Sequence, residues 1–117
     1  MTWSELGIAS VKLMVNGGTV IYVGVEDRRK AFMQACVNAL VTCQPPMYVL
    51  LRNDAILCES RRGIFTARPD SFEFLAGWSR PKLTGYIDPN GIGPDGVIAL
   101  EAVLHTHAER VLFVSPD

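Results

Sequence analysis

The stretch SVKLMVNGGTVIYVGV, residues 10–25, decides the fold that this sequence predicts. Two apolar, β-branched runs flank Asn16-Gly17, and such a dipeptide between such runs is the strongest short-range signal of a β-hairpin. Lys12 and Tyr22 are the only large side chains with a polar tip in these runs. A nearly continuous apolar run is typical of a strand that is buried on both faces. We therefore expect a hairpin here, with a strand at the centre of a sheet.

Helix signals lie on both sides of this hairpin. Thr2 and Glu5 have the spacing of a capping box, which predicts a short helix at the start of the chain. Glu26-Asp27 places negative charge where a second helix should begin, and Pro45-Pro46 should end it. The apolar face of that second helix comprises Phe32, Cys36, Ala39, Leu40 and Cys43.

The rest of the chain alternates apolar runs with turns. Strands are predicted at 47–52, 55–60 and 63–67, the first two joined by a tight turn at Asn53-Asp54. A helix at 71–79, a strand at 82–87, a loop rich in Gly and Pro, a helix capped by Asp95 and a strand at 110–115 follow. The core should include Phe32, Val49, Leu50, Phe65, Trp78, Leu100 and Leu104.

This order, α-ββ-α-βββ-α-β-α-β, predicts an α/β or α+β fold with a mixed sheet, because hairpins occur beside β-α-β connections. A length of 117 residues fits one domain, residues 1–117.

The net charge of −1 argues against a nucleic-acid binder. The longest apolar run is far shorter than the roughly 20 residues that a membrane span needs, and the N-terminus has no pattern of a secretory signal. Three cysteines without a CxxC motif favour reduced thiols and a cytoplasmic protein.

Composition and charge distribution favour association with another protein. Apolar residues make up 49% of the chain and charged residues 20%, with a mean hydropathy of +0.20. Residues 1–82 carry ten Lys and Arg against seven Asp and Glu, whereas residues 83–117 carry one against five. The runs KLMV and VIYVGV lack, apart from Lys12, the charges that protect a free strand edge. We therefore expect a homodimer or a larger assembly.

One glycine pattern is similar to a nucleotide-binding motif. Gly91-x-Gly93-x-x-Gly96 follows a strand and opens a helix, as in the dinucleotide-binding fingerprint. Pro94, however, has no N–H to offer a phosphate, and Asp88 and Asp95 bring negative charge to the loop. We interpret the segment as a turn-rich connection and expect no cofactor.

The last helix contains the other candidate ligands. Glu101, His105 and Glu109 follow each other at intervals of four and could present three ligands to a divalent metal. Surface pairing along a helix is commoner, so we expect no metal site. His107 lies on the side of Leu100 and Leu104, where it is either a core histidine with one hydrogen-bond partner or part of a pocket.

Two further groups of residues are open to more than one interpretation. Cys36 and Cys43 are about 10 Å apart along one helix face, too far for a disulfide, and Cys58 lies in a strand, so all three should be reduced. Basic residues concentrate around the second hairpin and could hold a phosphate or an acidic partner, or could simply be solvated. They are Arg52, Arg61, Arg62, Arg68, Arg80 and Lys82.

The segment from about residue 30 to 115 resembles the SseB N-terminal domain family. The resemblance rests on Tyr48-Val49 in an apolar strand, Phe65-Thr66 at a strand end, Trp78 at the end of a helix, and the final Leu-rich helix with Leu100 and Leu104. The family usually ends in an Asn-Pro-Gly-like turn, where this chain has Ser115-Pro116-Asp117. The resemblance implies an intracellular bacterial α/β domain with no known catalytic role.

We interpret the chain as a non-catalytic intracellular domain that binds a protein partner, most simply a second copy of itself. The alternative is a small-molecule-binding domain or enzyme with a pocket near His107 and the Gly91–Gly96 loop. Its candidate ligand-binding residues are His107, Asp88, Asp95, Glu101 and His105, and carboxylates at Asp88 and Asp95 would favour a cationic ligand.

Overall fold

The computed structural model describes residues 1–59, 62–71 and 82–117. The predicted helix at 71–79 falls almost wholly outside these ranges, as do Trp78, Arg61 and Arg80. The described elements are α1 (Trp3–Val15), β1 (Thr19–Val23), α2 (Glu26–Cys43), β2 (Val49–Leu51), β3 (Ala55–Cys58), β4 (Gly63–Ala67), β5 (Leu83–Ile87), α3 (Pro94–His107) and β6 (Arg110–Phe113).

The described strands form one mixed sheet in the order β2-β3-β4-β1-β5-β6. Strand β1 runs parallel to both β4 and β5, and β6 runs parallel to β5. Strands β2 and β3 add an antiparallel hairpin beside β4. The predicted α/β class, with hairpins next to β-α-β connections, is confirmed.

The predicted hairpin at Asn16-Gly17 is wrong. The capping box is present: Thr2 Oγ1 accepts from the Glu5 N–H at 3.1 Å and Glu5 Oε1 accepts from the Thr2 N–H at 3.0 Å. The helix that it opens continues through residues 10–15 instead of ending before them. Asn16 is the C-cap of α1, and Gly17 follows with φ +93°, so the dipeptide ends a helix. The order therefore begins α-β-α, with one strand fewer than predicted.

The two faces of the sheet bury different helices. Val20 and Tyr22 of β1 pack under α1 and α2, together with Ile64. Ile21 and Val23 face the other way and pack against α3. All five residues of β1 are buried, which confirms the prediction of a central strand buried on both faces. We call these the α1/α2 face and the α3 face.

The core prediction is confirmed for three residues and corrected for others. Phe32, Leu100 and Leu104 are fully buried. Val49 and Phe65 are half-buried, and Leu50 is 37% exposed. The hairpin β2-β3 is placed as predicted, but β2 is an edge strand, so its side chains lack a neighbour on one side.

The edges of the described sheet are not the strands that the sequence suggested. KLMV lies in α1, and β1 has a hydrogen-bonded neighbour on each side. The edges are β2, where Leu51 is 53% exposed, and β6, where Phe113 is 51% exposed. The argument for self-association from KLMV and VIYVGV therefore fails, although apolar edges exist elsewhere.

The remaining predictions concern cysteines and membranes. Cys36, Cys43 and Cys58 are free thiols. Burial raises the pKa of Cys36 to about 12, although a hydrogen bond with Ser10 lowers that pKa in part. A thiol with so high a pKa is a poor nucleophile at neutral pH. Within the described ranges, no helix has both the length and the apolar character needed to cross a bilayer.

Candidate functional site

Polar side chains meet at the carboxyl ends of β1 and β5. These two parallel strands are neighbours, and the helices that follow them leave to opposite faces, α2 to the α1/α2 face and α3 to the other. Ligands of open α/β sheets bind outside the carboxyl ends of the strands at such a switch point. Four polar residues meet here, namely Tyr22, Arg28, Asp88 and Asn90, which we call the Asp88 cluster.

Asp88 directly follows β5 and its side chain is fully buried. Its Oδ2 accepts hydrogen bonds from the Tyr22 hydroxyl and from Arg28 Nε, the latter at 2.9 Å. Its Oδ1 accepts from the backbone N–H of Asn90 at 3.1 Å and from Asn90 Nδ2 at 2.6 Å. Two carboxylate oxygens offer about four acceptor sites. The four donors therefore use the acceptor capacity of Asp88.

The Asp88 cluster also holds the last residues of the chain. Arg28 Nη2 donates to the Pro116 carbonyl at 2.9 Å, and Asn90 Nδ2 donates to Ser115 Oγ at 2.8 Å. The Arg28 guanidinium lies over the Trp3 ring, 4.8 Å from its centroid, a cation–π distance. The crevice at the switch point is therefore filled by the chain's own side chains and by residues 115–116.

The protonation states of the cluster are fixed at neutral pH. Burial, reinforced by the hydrogen bond to Asp88, raises the pKa of the Tyr22 hydroxyl. The Tyr22 ring stacks on Phe32, with 4.4 Å between the ring centroids. Burial alone would raise the pKa of Asp88, but hydrogen bonds from Tyr22, Asn90 and Arg28 outweigh it and hold that pKa below its usual value. A general acid or base needs a pKa near the working pH. Tyr22 and Asp88 each keep one protonation state at neutral pH, so the cluster is suited to stabilising the fold.

The structure separates Asp88 from the candidate ligand-binding residue His107. Asp88 lies at the carboxyl end of β5, whereas His107 lies at the far end of α3, a helix of fourteen residues or about 20 Å. Glu109 Nα donates to the Leu83 carbonyl, which places the start of β6 beside the start of β5. The Gly91–Gly96 loop and His107 therefore lie at opposite ends of α3. Whether His107, which is half-buried, binds a ligand stays a prediction.

On α3 itself, one predicted pair is present and one predicted cap is not. His105 Nε2 lies 3.5 Å from Glu101 Oε1, and both side chains are largely exposed, as in ordinary surface pairing. Glu109 lies beyond the end of the helix and so leaves the spacing of four that the metal hypothesis required. Gly93, not Asp95, is the N-cap, and Asp95 is an exposed residue of the first turn. Among the described residues, no group of three potential metal ligands occurs.

The basic residues around the second hairpin have two different roles. Arg62 Nη1 donates to the carbonyls of Met14 and Val15 at 3.1 and 3.4 Å, where α1 ends, as a cation at a helix C-terminus should. Arg52 and Arg68 instead line a cavity at the carboxyl end of β4, together with Arg29 of α2. Arg29 is not among the basic residues that the sequence pattern indicated. Its position one residue after Arg28, in the first turn of a helix that follows a central strand, is the signal that could have found it.

Comparison with known proteins gives a fold and no family. No protein-family model matches the chain, and no curated protein matches it in sequence. Two solved structures are similar to it: the bacteriophage phi29 viral genome packaging motor assembly, with 12% identity and a TM-score of 0.65 over 94% of this chain, and the N-terminal domain of the DNA packaging ATPase from bacteriophage phi29, with 13% identity and a TM-score of 0.63 over 95%. The chain spans 38% of the first of these chains and 67% of the second. At this level of identity the likeness shows that the chain shares the fold of these phage domains.

Proposed function

We propose that this chain is a non-catalytic protein-interaction domain that pairs with a second copy of itself through strand β6. The observation that carries the proposal is the apolar outer edge of β6. In the described sheet, β6 has a hydrogen-bonded neighbour only in β5, and Leu112 and Phe113 are 37% and 51% exposed. Arg110 is the only charged residue of the strand. A free edge with so little charge is suited to pairing with another strand.

The register of such a pairing follows from the faces of β6. Val111 and Phe113 lie opposite Gly85 and Ile87, on the α3 face, and Leu112 lies on the α1/α2 face. A two-fold axis perpendicular to the sheet keeps each face on its own side, and residues directly opposite in an antiparallel pair share a face. An axis at Leu112 brings Leu112 against Leu112 of the second copy and Phe113 against its Val111. The exposed apolar side chains of β6 then cover each other.

A groove beside β6 extends this apolar surface. It lies between α1 and β6 and has a volume of about 500 Å³. Its apolar lining comes from both elements, and Lys12 and Arg110 supply its charges. The apolar residues of the lining are Met1, Ala9, Leu13, Tyr86, Leu112, Phe113 and Val114. Since Leu112 lines this groove, pairing at β6 would shield part of it from water as well.

Two observations support a non-catalytic role. The crevice at the switch point is filled by the Asp88 cluster, whose carboxylate has no free acceptor site. One structural neighbour is described as an ATPase, but this chain has no Gly-Lys dipeptide and hence no P-loop motif. The connection from β1 to α2 consists of Gly24 and Val25 and is therefore shorter than a P-loop. The other neighbour belongs to a motor assembly, which is compatible with a fold used for contacts between proteins.

Light scattering coupled to size exclusion tests the proposal over a hundredfold concentration range starting at micromolar protein. We expect a mass near twice 12.9 kDa that falls to the monomer value in Phe113→Lys, because a Lys on the edge opposes strand pairing. Leu51→Lys is the matched control, since Leu51 is 53% exposed on the other edge strand. A mass near 12.9 kDa at every concentration overturns self-association. If Leu51→Lys dissociates the dimer and Phe113→Lys does not, the chains pair through β2, and the proposed pairing through β6 is overturned.

A further inference from the structure

A second surface feature, independent of β6, is a cavity at the carboxyl end of β4. It has a volume of about 580 Å³, within the range of small-molecule sites. Its floor is apolar and comes from residues of β3 and β4 that point to the α3 face, with Ala55 opposite Phe65 in the strand register. The floor residues are Ala55, Leu57, Phe65 and Ala67. We call this cavity the arginine groove because three arginines line it.

The three arginines come from three different parts of the chain. Arg29 lies in α2, Arg52 in the turn between β2 and β3, and Arg68 directly after β4. Arg29 also lines two cavities that adjoin the groove, of about 580 and 140 Å³. Arg29 Nη1 donates to the Gly24 carbonyl at 2.8 Å, which orients the guanidinium. The fold therefore brings together cations that are far apart in sequence.

The charges of the groove are only partly balanced. Arg68 pairs with Asp70 at 3.0 Å, and both side chains are exposed. Among the described residues, neither Arg29 nor Arg52 forms an ion pair. Asp54 is the one carboxylate in the described lining of the main cavity, and its backbone carbonyl accepts from the Thr66 N–H and hydroxyl. The described lining of the main cavity thus holds three guanidinium groups and one carboxylate, and of the three only Arg68 has an ion-pair partner, Asp70.

We propose that the arginine groove binds a small amphipathic anion. A guanidinium matches the geometry of a carboxylate, phosphate or sulfonate and can donate two parallel hydrogen bonds to it. Arg29 and Arg52 would hold the anionic group, and an apolar ring or chain would lie against Leu57 on the floor of the cavity. The proposal does not depend on the pairing of β6, which involves other residues at the opposite edge of the described sheet.

A pair of fluorescent probes can test the groove directly. 8-Anilinonaphthalene-1-sulfonate has an aromatic body and one sulfonate, and N-phenyl-1-naphthylamine has a similar body without the charge. We expect Arg52→Gln to weaken binding of the sulfonate about tenfold, since hydrogen bonds to charged groups are among the stronger ones. The same variant should leave binding of the neutral probe unchanged. Added salt should weaken binding of the sulfonate probe and leave binding of the neutral probe unchanged.

Arg110→Gln is the matched control, because Arg110 is also an exposed cation that lines an apolar groove. It should bind the sulfonate as the unsubstituted chain does, and so should the Phe113→Lys variant whether or not the chain self-associates. Unchanged melting temperatures would show that the probes report on folded protein. The proposal is overturned if Arg52→Gln leaves sulfonate binding unchanged, if Arg110→Gln weakens it equally, or if the neutral probe is lost to the same extent.

Discussion

Arg28 and Arg29 are consecutive residues in the first turns of α2, yet their surroundings differ sharply. Arg28 binds the fully buried Asp88 and the Pro116 carbonyl, and its side chain is 22% exposed. Arg29 binds only the Gly24 carbonyl among the described polar partners and lines an open cavity. A charge whose partners are all within the protein holds the fold together. An arginine that lines a cavity and forms no described ion pair remains available for a ligand.

The largest effect in this comparison should come from Asp88. Replacing Asp88 with Ala leaves Arg28 and the Tyr22 hydroxyl without their buried partner, and breaking a buried ion pair in this way costs roughly 3–5 kcal/mol. We expect the free energy of unfolding, measured by urea denaturation, to fall by about that much. Asp70→Ala is the control, since it removes an exposed partner of Arg68 and should change little. Equal effects of the two substitutions would contradict the structural role of the Asp88 cluster.

A smaller effect should distinguish the two arginines themselves. Arg28→Gln removes a charged hydrogen bond to Asp88, the bond to Pro116 and the contact with Trp3, and should lower the free energy of unfolding by about 2 kcal/mol. Arg29→Gln removes one described hydrogen bond and should cost at most about 1 kcal/mol. The order of the two losses in thermal or urea unfolding checks the contrast. The reverse order would mean that Arg29, not Arg28, is the structural residue.

Acid should weaken the cluster in a defined direction. The pKa of Asp88 is lower in the folded chain than its usual value near 3.9, so its ionised form stabilises the fold above that pH and this contribution is lost as the pH falls through the folded pKa. The gap in stability between the unsubstituted chain and Asp88→Asn should therefore narrow from pH 5 to pH 2. Melting temperatures over this range measure it, and a gap that stays constant would rule out a stabilising ionised Asp88.

The smallest effect should be at Arg52. Arg52 has no described ion pair and its side chain is exposed, so Arg52→Gln should change the free energy of unfolding by no more than about 0.5 kcal/mol. Arg62→Gln, by contrast, removes hydrogen bonds to the end of α1 and should cost about 1 kcal/mol. A clear loss of stability in Arg52→Gln would show that the arginine groove is part of the fold's support.

Two turns show how far the sequence could predict this fold. Asn53-Asp54 joins two strands as expected, whereas Asn16-Gly17 ends a helix. The difference lies in what precedes each turn: the capping box at Thr2 commits the chain to a helix that absorbs the apolar run up to Val15. A short apolar run fits a strand or a buried helix turn equally well, so periodicity alone could not decide.

The candidate sites were less predictable than the fold because their parts are distant in sequence. Asp88 was identified as a candidate ligand-binding residue, but Tyr22 and Arg28, which occupy its Oδ2, lie on β1 and α2. Only the parallel pairing of β1 with β5 brings them to one edge. Arg29, Arg52 and Arg68 likewise meet only through the tertiary fold. The resemblance to the SseB N-terminal domain family, which rests on fold-keeping residues, stays a prediction.

The central position of β1 also has a consequence for how the chain is made. Thr19 pairs with Gly63 on one side and with Leu83 on the other, so a ribosome releases the apolar strand well before either of its neighbours. In that interval α1 and α2, which flank β1 in the sequence, can cover only the side that carries Val20 and Tyr22. Ile21 and Val23, on the other side, pack against α3, which is synthesised later. Nascent chains that stop before β5 should therefore be the most prone to aggregate and the most dependent on chaperones.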